Sequence, residues 1–137
     1  FINMGRKIYD IVQKILLGYT LYLFLLPVIT PFMKKAVPLI WQCQYTKVTG
    51  KPCPFEGMTS DFKEIIQHGL NKEITNNLLS IPVFIFLIFE VFWRVFLIGD
   101  LKKVDINRVK KIIVFDIFIH LVFLIYIIFL ISTFWSF

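Results

Sequence analysis

The chain is poor in the residues that carry out chemistry. Among 137 residues there are two cysteines, two histidines and nine carboxylates. No Gly-rich loop is present to cradle a phosphate, no His-Glu-x-x-His run to hold zinc and no nucleophile elbow. The basic residues cluster beside apolar runs instead of forming one periodic face, so the net charge of +6 does not outline a nucleic-acid footprint. No stretch alternates like a barrel strand. Nor is the first apolar run expected to be a cleavable signal: it is too long for an h-region, and no small-x-small site follows it. That run is expected to stay in the membrane as a true span.

Apolar side chains are what the sequence has in abundance. They make up 58% of it, and sixteen residues are Phe. A soluble domain of this length does not hide so much apolar surface, so the expected solvent is lipid. Three runs, 15–33, 78–99 and 112–137, are bounded by charged or polar residues. Each approaches the roughly 20 residues a helix needs to cross about 30 Å of hydrocarbon. Helix is the expected state, because an open strand edge in lipid leaves backbone groups unpaired. The fold class is therefore an all-α membrane protein with three transmembrane helices in a single integral domain over 1–137. The polar segment 34–77 between the first two spans carries both cysteines and a short interfacial helix.

Local signals refine that outline. Pro27 and Pro31 are expected to kink or unwind the end of the first span, while Pro82 is tolerable one turn into the second. Gly99 reads as a helix stop and Asp105 as the N-cap of the last helix. Asp61, with Glu64 three residues on, reads as a capping box. Phe62, Ile65, Ile66 and Leu70 then share one face, opposite Lys63, Glu64, Gln67 and His68. This is either a separate helix on the membrane surface or the outer turns of a longer second helix. Trp41, Trp93 and Trp135 read as interfacial anchors.

Short basic flanks set the topology. Arg6, Lys7 and Lys14 precede the first span; Lys102, Lys103, Arg108, Lys110 and Lys111 lie between the second and third, and none follows the third. The N-terminus and second loop are expected in the cytoplasm, with the cysteine loop and C-terminus outside.

The loop stretch CQYTKVTGKPCPFEGMTSDF resembles the signature of the domain-of-unknown-function 2752 family of small bacterial integral membrane proteins. Members show a Cys, then Thr-Gly-x-x-Cys-Pro-x-Cys-Gly-x-Thr-Arg. Cys43, Thr49, Gly50, Cys53, Pro54, Gly57 and Thr59 match, and Gly69 and Asn77 fall where later family positions stand. The resemblance covers about residues 41–82. It implies a bacterial cytoplasmic (inner) membrane and no established activity. Glu56 stands where the family has its second motif Cys, and Ser60 where it has Arg. Those departures weaken a dithiol or four-thiolate role for this chain.

The loop residues support several readings by themselves. Cys43 and Cys53 are spaced for a disulfide in an oxidising compartment, or for two packed thiols. With Glu56 and His68 they also form a possible ligand set, without a recognised spacing; a catalytic thiol has no base paired with it in sequence. The glycines allow unusual backbone angles, Pro52 and Pro54 stiffen the stretch, and Thr59 and Ser60 are expected to satisfy free N–H groups at the helix start.

Glu90 and Arg94 lie four apart on the second span, and Asp116 and His120 four apart on the third. Ionisable groups in lipid are costly and need partners. Arg94 is expected to pair with Asp116 or Glu90, with His120 bonded into the same cluster. The readings of this cluster are a helix-locking ion network, a docking surface for a partner's span, or a proton or ion pathway. The functional expectation is a non-enzymatic accessory or scaffold subunit of a larger membrane complex, without a cofactor or catalytic residue. Its partners are the lipid bilayer and other integral subunits or a second copy of the chain, not nucleic acid. The alternatives are an extracytoplasmic thiol- or metal-handling protein and a small ion- or proton-coupled transport component.

Overall fold

A computed structural model describes residues 2–36, 44–71, 73, 75–100 and 103–134. Five helices follow in chain order: α1 Ile2–Ala36, α2 Gln44–Thr49, α3 Met58–His68, α4 Ser80–Asp100 and α5 Ile106–Phe134. No strand is present among the described residues. α1, α4 and α5 are each long and apolar enough to cross a membrane.

The helices outrun the apolar runs. α1 starts at Ile2 and passes through Arg6, Lys7, Asp10 and Lys14 before its greasy stretch. Lys14 and Asp10 pair at 2.6 Å one turn apart, which supports helix outside the apolar run. α1 also continues through Pro27 and Pro31. The expected unwinding does not occur, since each proline deletes one backbone bond and the turns on either side keep theirs. α4 runs through Gly99 to Asp100, one residue past the expected stop. Pro82 stands in its first turn, where an N–H has no intrahelical partner to lose. Asp105 precedes α5, and its carbonyl and carboxylate take the N–H groups of Arg108, Val109 and Ile106. It is the N-cap expected from its position.

The chain forms two compact units, Phe1–Thr20 with Ile88–Phe137, and Leu21–Leu87. In the second unit, Phe62, Ile65, Phe84 and Leu87 form a core, joined by Leu23, Phe24, Met58, Ile81 and Val83. Phe84 meets Phe24 and Phe62 edge-on at 5.5 and 5.3 Å between ring centres. Such pairs add about 0.5–1.5 kcal/mol each beyond the area they bury. They fix α3 against the adjoining parts of α1 and α4. Only part of the expected α3 face is used: Phe62 and Ile65 are buried, whereas Ile66 and Leu70 are exposed. α3 ends at His68, before Gly69 at φ 87°, so it is a separate helix and not the outer turns of α4.

In the first unit, Leu97 and Val109 are buried among Tyr9, Trp93, Val104, Ile112 and Ile113. The Arg6 guanidinium donates to the carbonyl of Val104, between α4 and α5. That bond ties the start of α1 to the turn joining α4 and α5. Ile127 is buried further along α5, and the unit's other buried side chains, Gln13, Thr20, Glu90, Arg94 and Asp116, are polar.

Candidate functional site

Three pairs of polar residues, each spaced one helical turn, converge in the first unit: Tyr9 and Gln13 on α1, Glu90 and Arg94 on α4, Asp116 and His120 on α5. The i,i+4 spacing puts both members of a pair on one helix face. Gln13 is 0% exposed and Arg94 1%. Arg94 is the hub. Its Nε donates to Glu90 Oε2 at 2.9 Å, and Nη2 lies 2.9 Å from the same oxygen. Nη1 donates to Asp116 Oδ2 at 2.7 Å and to Gln13 Oε1 at 2.5 Å. Nη2 also faces His120 Nε2 at 3.1 Å. A guanidinium has five N–H groups, and this geometry gives a partner to each.

Asp116 is held from two further directions. The Tyr9 hydroxyl donates to Oδ2 at 3.2 Å and the Trp93 indole N–H to Oδ1 at 3.0 Å. His120 Nδ1 lies 2.7 Å from the Asp116 carbonyl, which can only accept, so Nδ1 carries a proton. In the neutral ring Nε2 then accepts from Arg94. A second proton on Nε2 would be donated to Glu90 Oε1, 3.1 Å away. Two carboxyl groups thus face one guanidinium, Glu90 from the same helix and Asp116 from α5.

Oxygens of Glu90 and Asp116 and a nitrogen of His120 lie within 4.8 Å of one another, close enough to be considered as ligands for a metal ion. The Arg94 guanidinium sits among them and makes the contacts a cation would make. A metal would have to displace a buried, fully bonded positive charge. The cluster is an ion network with its own cation.

The second unit holds the polar knot. Asp61 is fully buried and does not cap α3; the residue at that position is Gly57, at φ 78°, with no side-chain cap. Its carboxylate instead accepts from the backbone N–H groups of Asn76 and Asn77 at 2.9 and 2.8 Å, and from the Ser80 hydroxyl at 2.5 Å. Asp61 therefore satisfies donors at the entry to α4, fifteen to nineteen residues away. Asn77 is its counterpart. Its amide donates to the carbonyls of Pro54 at 2.7 Å and Glu56 at 3.0 Å, and its side-chain oxygen takes the N–H of Leu79. The expected capping box is corrected by these contacts: the Asp61 carboxylate is taken up by donors at the entry to α4, which would otherwise be left without partners, and not by its own helix.

The remaining signature residues sit around this pair. Cys53 and Pro54 are buried, and Glu56 is exposed, its N–H bonded to the Cys53 carbonyl. Thr49 bonds back to the Tyr45 carbonyl, and Gly50 at φ 68° ends α2. Thr59 is half-buried and Ser60 exposed; neither caps α3. His68 is exposed beside Glu64. Cys43 lies outside the described residues, and with it the expected Cys43–Cys53 pairing and the four-residue ligand set. Trp41 and Trp135 lie outside them as well.

Sequence reasoning named four members of the ion cluster and missed three. Gln13 and Tyr9 stood outside the first span as drawn from hydropathy, in what proves to be helix. Their four-residue spacing was the available signal. Trp93 was read as an interfacial anchor, but its N–H is bonded to Asp116. In the knot, the Asp61–Ser80 contact left no local mark. No family model, curated protein or solved structure matches the chain.

Proposed function

We propose that this chain is a multi-pass protein of the bacterial cytoplasmic membrane that acts without catalysis, as an accessory or scaffold subunit of a larger membrane complex. One observation supports this above others: Glu90, Arg94 and Asp116 on the long helices are buried and paired with one another, while large apolar side chains remain uncovered. Phe92, Val114 and Ile125 are 73, 68 and 66% exposed. The most apolar window of α5 is only 11% buried. Lipid and the helices of other subunits are the solvents such surfaces require. The charged cluster, bonded within the chain, serves as the lock between helices and leaves lateral contacts to apolar packing.

The reading extends to orientation. The N-terminus and the turn between α4 and α5 lie in the cytoplasm, in keeping with their basic flanks and the Arg6–Val104 bond. α3 lies at the outer membrane surface, exposing Lys63, Gln67 and His68. The signature around Cys53 supports membership of the domain-of-unknown-function 2752 family. The test is purification of a tagged chain from membranes in mild detergent, with mass spectrometry of its companions. A stoichiometric integral membrane partner is expected. A chain that stays alone at native expression would count against the subunit reading.

A further inference from the structure

Two exposed cations near the start of α5 have no counter-charge. Lys110 and Lys111 stand immediately before the apolar run of that helix. Neither forms an ion pair or a side-chain hydrogen bond among the described residues. Other basic groups of the first unit do: Arg6 donates to the Val104 carbonyl, Lys14 pairs with Asp10, and Arg94 pairs with Glu90 and Asp116. No acid lies three or four residues from either lysine along α5, and Arg108 stands three before Lys111. Like charges at that spacing repel, and the dipole in the first turns of a helix also disfavours cations.

The two lysines line a groove of about 410 Å³, and the rest of its lining is Val114, Phe115 and Phe118. Lys110, Val114 and Phe118 are spaced by four residues, as are Lys111 and Phe115, so the groove follows one face of α5. Its apolar wall is uncovered: Val114, Phe115 and Phe118 are 68, 51 and 61% exposed. Phe115 is braced from α4 by Trp93, with ring centres 5.7 Å apart. From Lys110 to Phe118 the helix rises about 12 Å. The hydrocarbon of one leaflet is about 15 Å deep, half of the bilayer core. With the lysines at the boundary, the groove therefore ends within a single leaflet. We propose that it binds one anionic phospholipid, with the phosphate between the Lys110 and Lys111 ammonium groups and an acyl chain against Val114, Phe115 and Phe118.

Charge and length select that occupant. An acyl chain suits the three apolar side chains, and an anion is what two unpaired ammonium groups lack. A zwitterionic lipid carries an amine of its own, which would enter a stretch already holding Arg108, Lys110 and Lys111. An acidic segment of a partner protein would meet the lysines, but it would also need an apolar extension of the right length to fill the groove. A phospholipid has both parts in one molecule. The proposal rests on the membrane reading above. It depends on neither the subunit reading nor the direction of insertion, because the lysines and the groove share one end of α5 in either orientation.

The test uses the full chain with Trp41→Phe and Trp135→Phe, leaving Trp93, which packs on Phe115, as the sole tryptophan. The protein is reconstituted into phosphatidylcholine vesicles. In separate series, part of the lipid is replaced by brominated phosphatidylglycerol or by brominated phosphatidylcholine. Bromine quenches nearby tryptophan, so the two curves give the affinity of one lipid relative to the other beside Phe115. Phosphatidylglycerol is expected to bind roughly tenfold more tightly. Lys110→Gln with Lys111→Gln is expected to bring the two lipids close to equal. Lys103→Gln with Arg108→Gln removes as much charge from residues outside the groove, and is expected to keep most of the preference. Equal affinities in the parent overturn the proposal and leave the lysines to an acidic segment of a partner protein. Equal losses in the two double variants overturn it as well, since the attraction would then belong to the surface charge as a whole. A chain that does not enter the vesicles sinks the membrane reading and the proposal together; one that enters and shows no preference sinks the proposal alone.

Discussion

Arg94 carries the largest consequence of any single side chain. Removing it leaves Glu90 and Asp116 as two buried carboxylates facing each other without a cation. Arg94→Met is expected to destabilise the protein by about 3–5 kcal/mol, the usual cost of breaking a buried ion pair from one side. Thermal unfolding in detergent would show it as a marked drop in midpoint. Adding Glu90→Gln and Asp116→Asn to Arg94→Met is expected to restore much of the loss, because neutral amides no longer need the charge. If the triple variant is no more stable than the single one, the guanidinium acts through packing and not through charge. Asp61 is the equivalent residue in the second unit. Asp61→Ala strands the N–H groups of Asn76 and Asn77, at a cost of about 1–3 kcal/mol for each group left unmet. Hydrogen exchange should quicken at residues 76–80 before it changes in α3.

At the scale of elements, α3 and α4 are joined in two ways: through the Phe62–Phe84 contact and through Asp61 and Asn77. The turn into α3 depends on Gly57 in the left-handed region at φ 78°, where a Cβ would meet nothing within 4 Å. Any cost of Gly57→Ala is therefore conformational, about 1–2 kcal/mol. Gly18 lies inside α1 at an ordinary helical angle, also with open space around its Cα. Gly18→Ala is expected to be neutral or slightly stabilising. Unfolding midpoints of the two variants against the parent should move in opposite directions, or only the first should move. Equal losses at both sites would mean that space, not backbone angle, limits these positions.

For the whole molecule, three helices are long and apolar enough to cross a membrane; if all three do, the number of crossings is odd and the two ends of the described chain are expected on opposite sides of a bilayer. Single cysteines placed by Lys7→Cys, Lys103→Cys or Thr133→Cys, with Cys43 and Cys53 replaced by serine, would read this directly. An impermeant thiol reagent applied to intact cells is expected to label the cysteine at position 133 and to spare those at 7 and 103. Labelling at 7 and 103 with position 133 protected would invert the orientation while keeping the three crossings. Labelling at all three would deny them.

Hydropathy and length by themselves determined the three long helices, because the need to satisfy backbone groups in lipid leaves a chain of this composition one regular structure. Residue spacing determined that Glu90 and Arg94 share a face, as do Asp116 and His120, since both pairs are local to one helix. Asp105 was legible for the same reason. Tertiary structure alone decided the rest. Hydropathy ended the first span short of Gln13 and Tyr9, and only the fold of the first unit brings them to Arg94 and Asp116, 81 and 107 residues away along the chain. Asp61 carried the mark of a cap for its own helix, and folding gave it to the entry of α4, where it accepts from the Asn77 N–H and the Ser80 hydroxyl. A sequence shows which polar groups need partners; the partners themselves are set by distances in space, which local spacing does not encode once the two residues lie on different helices.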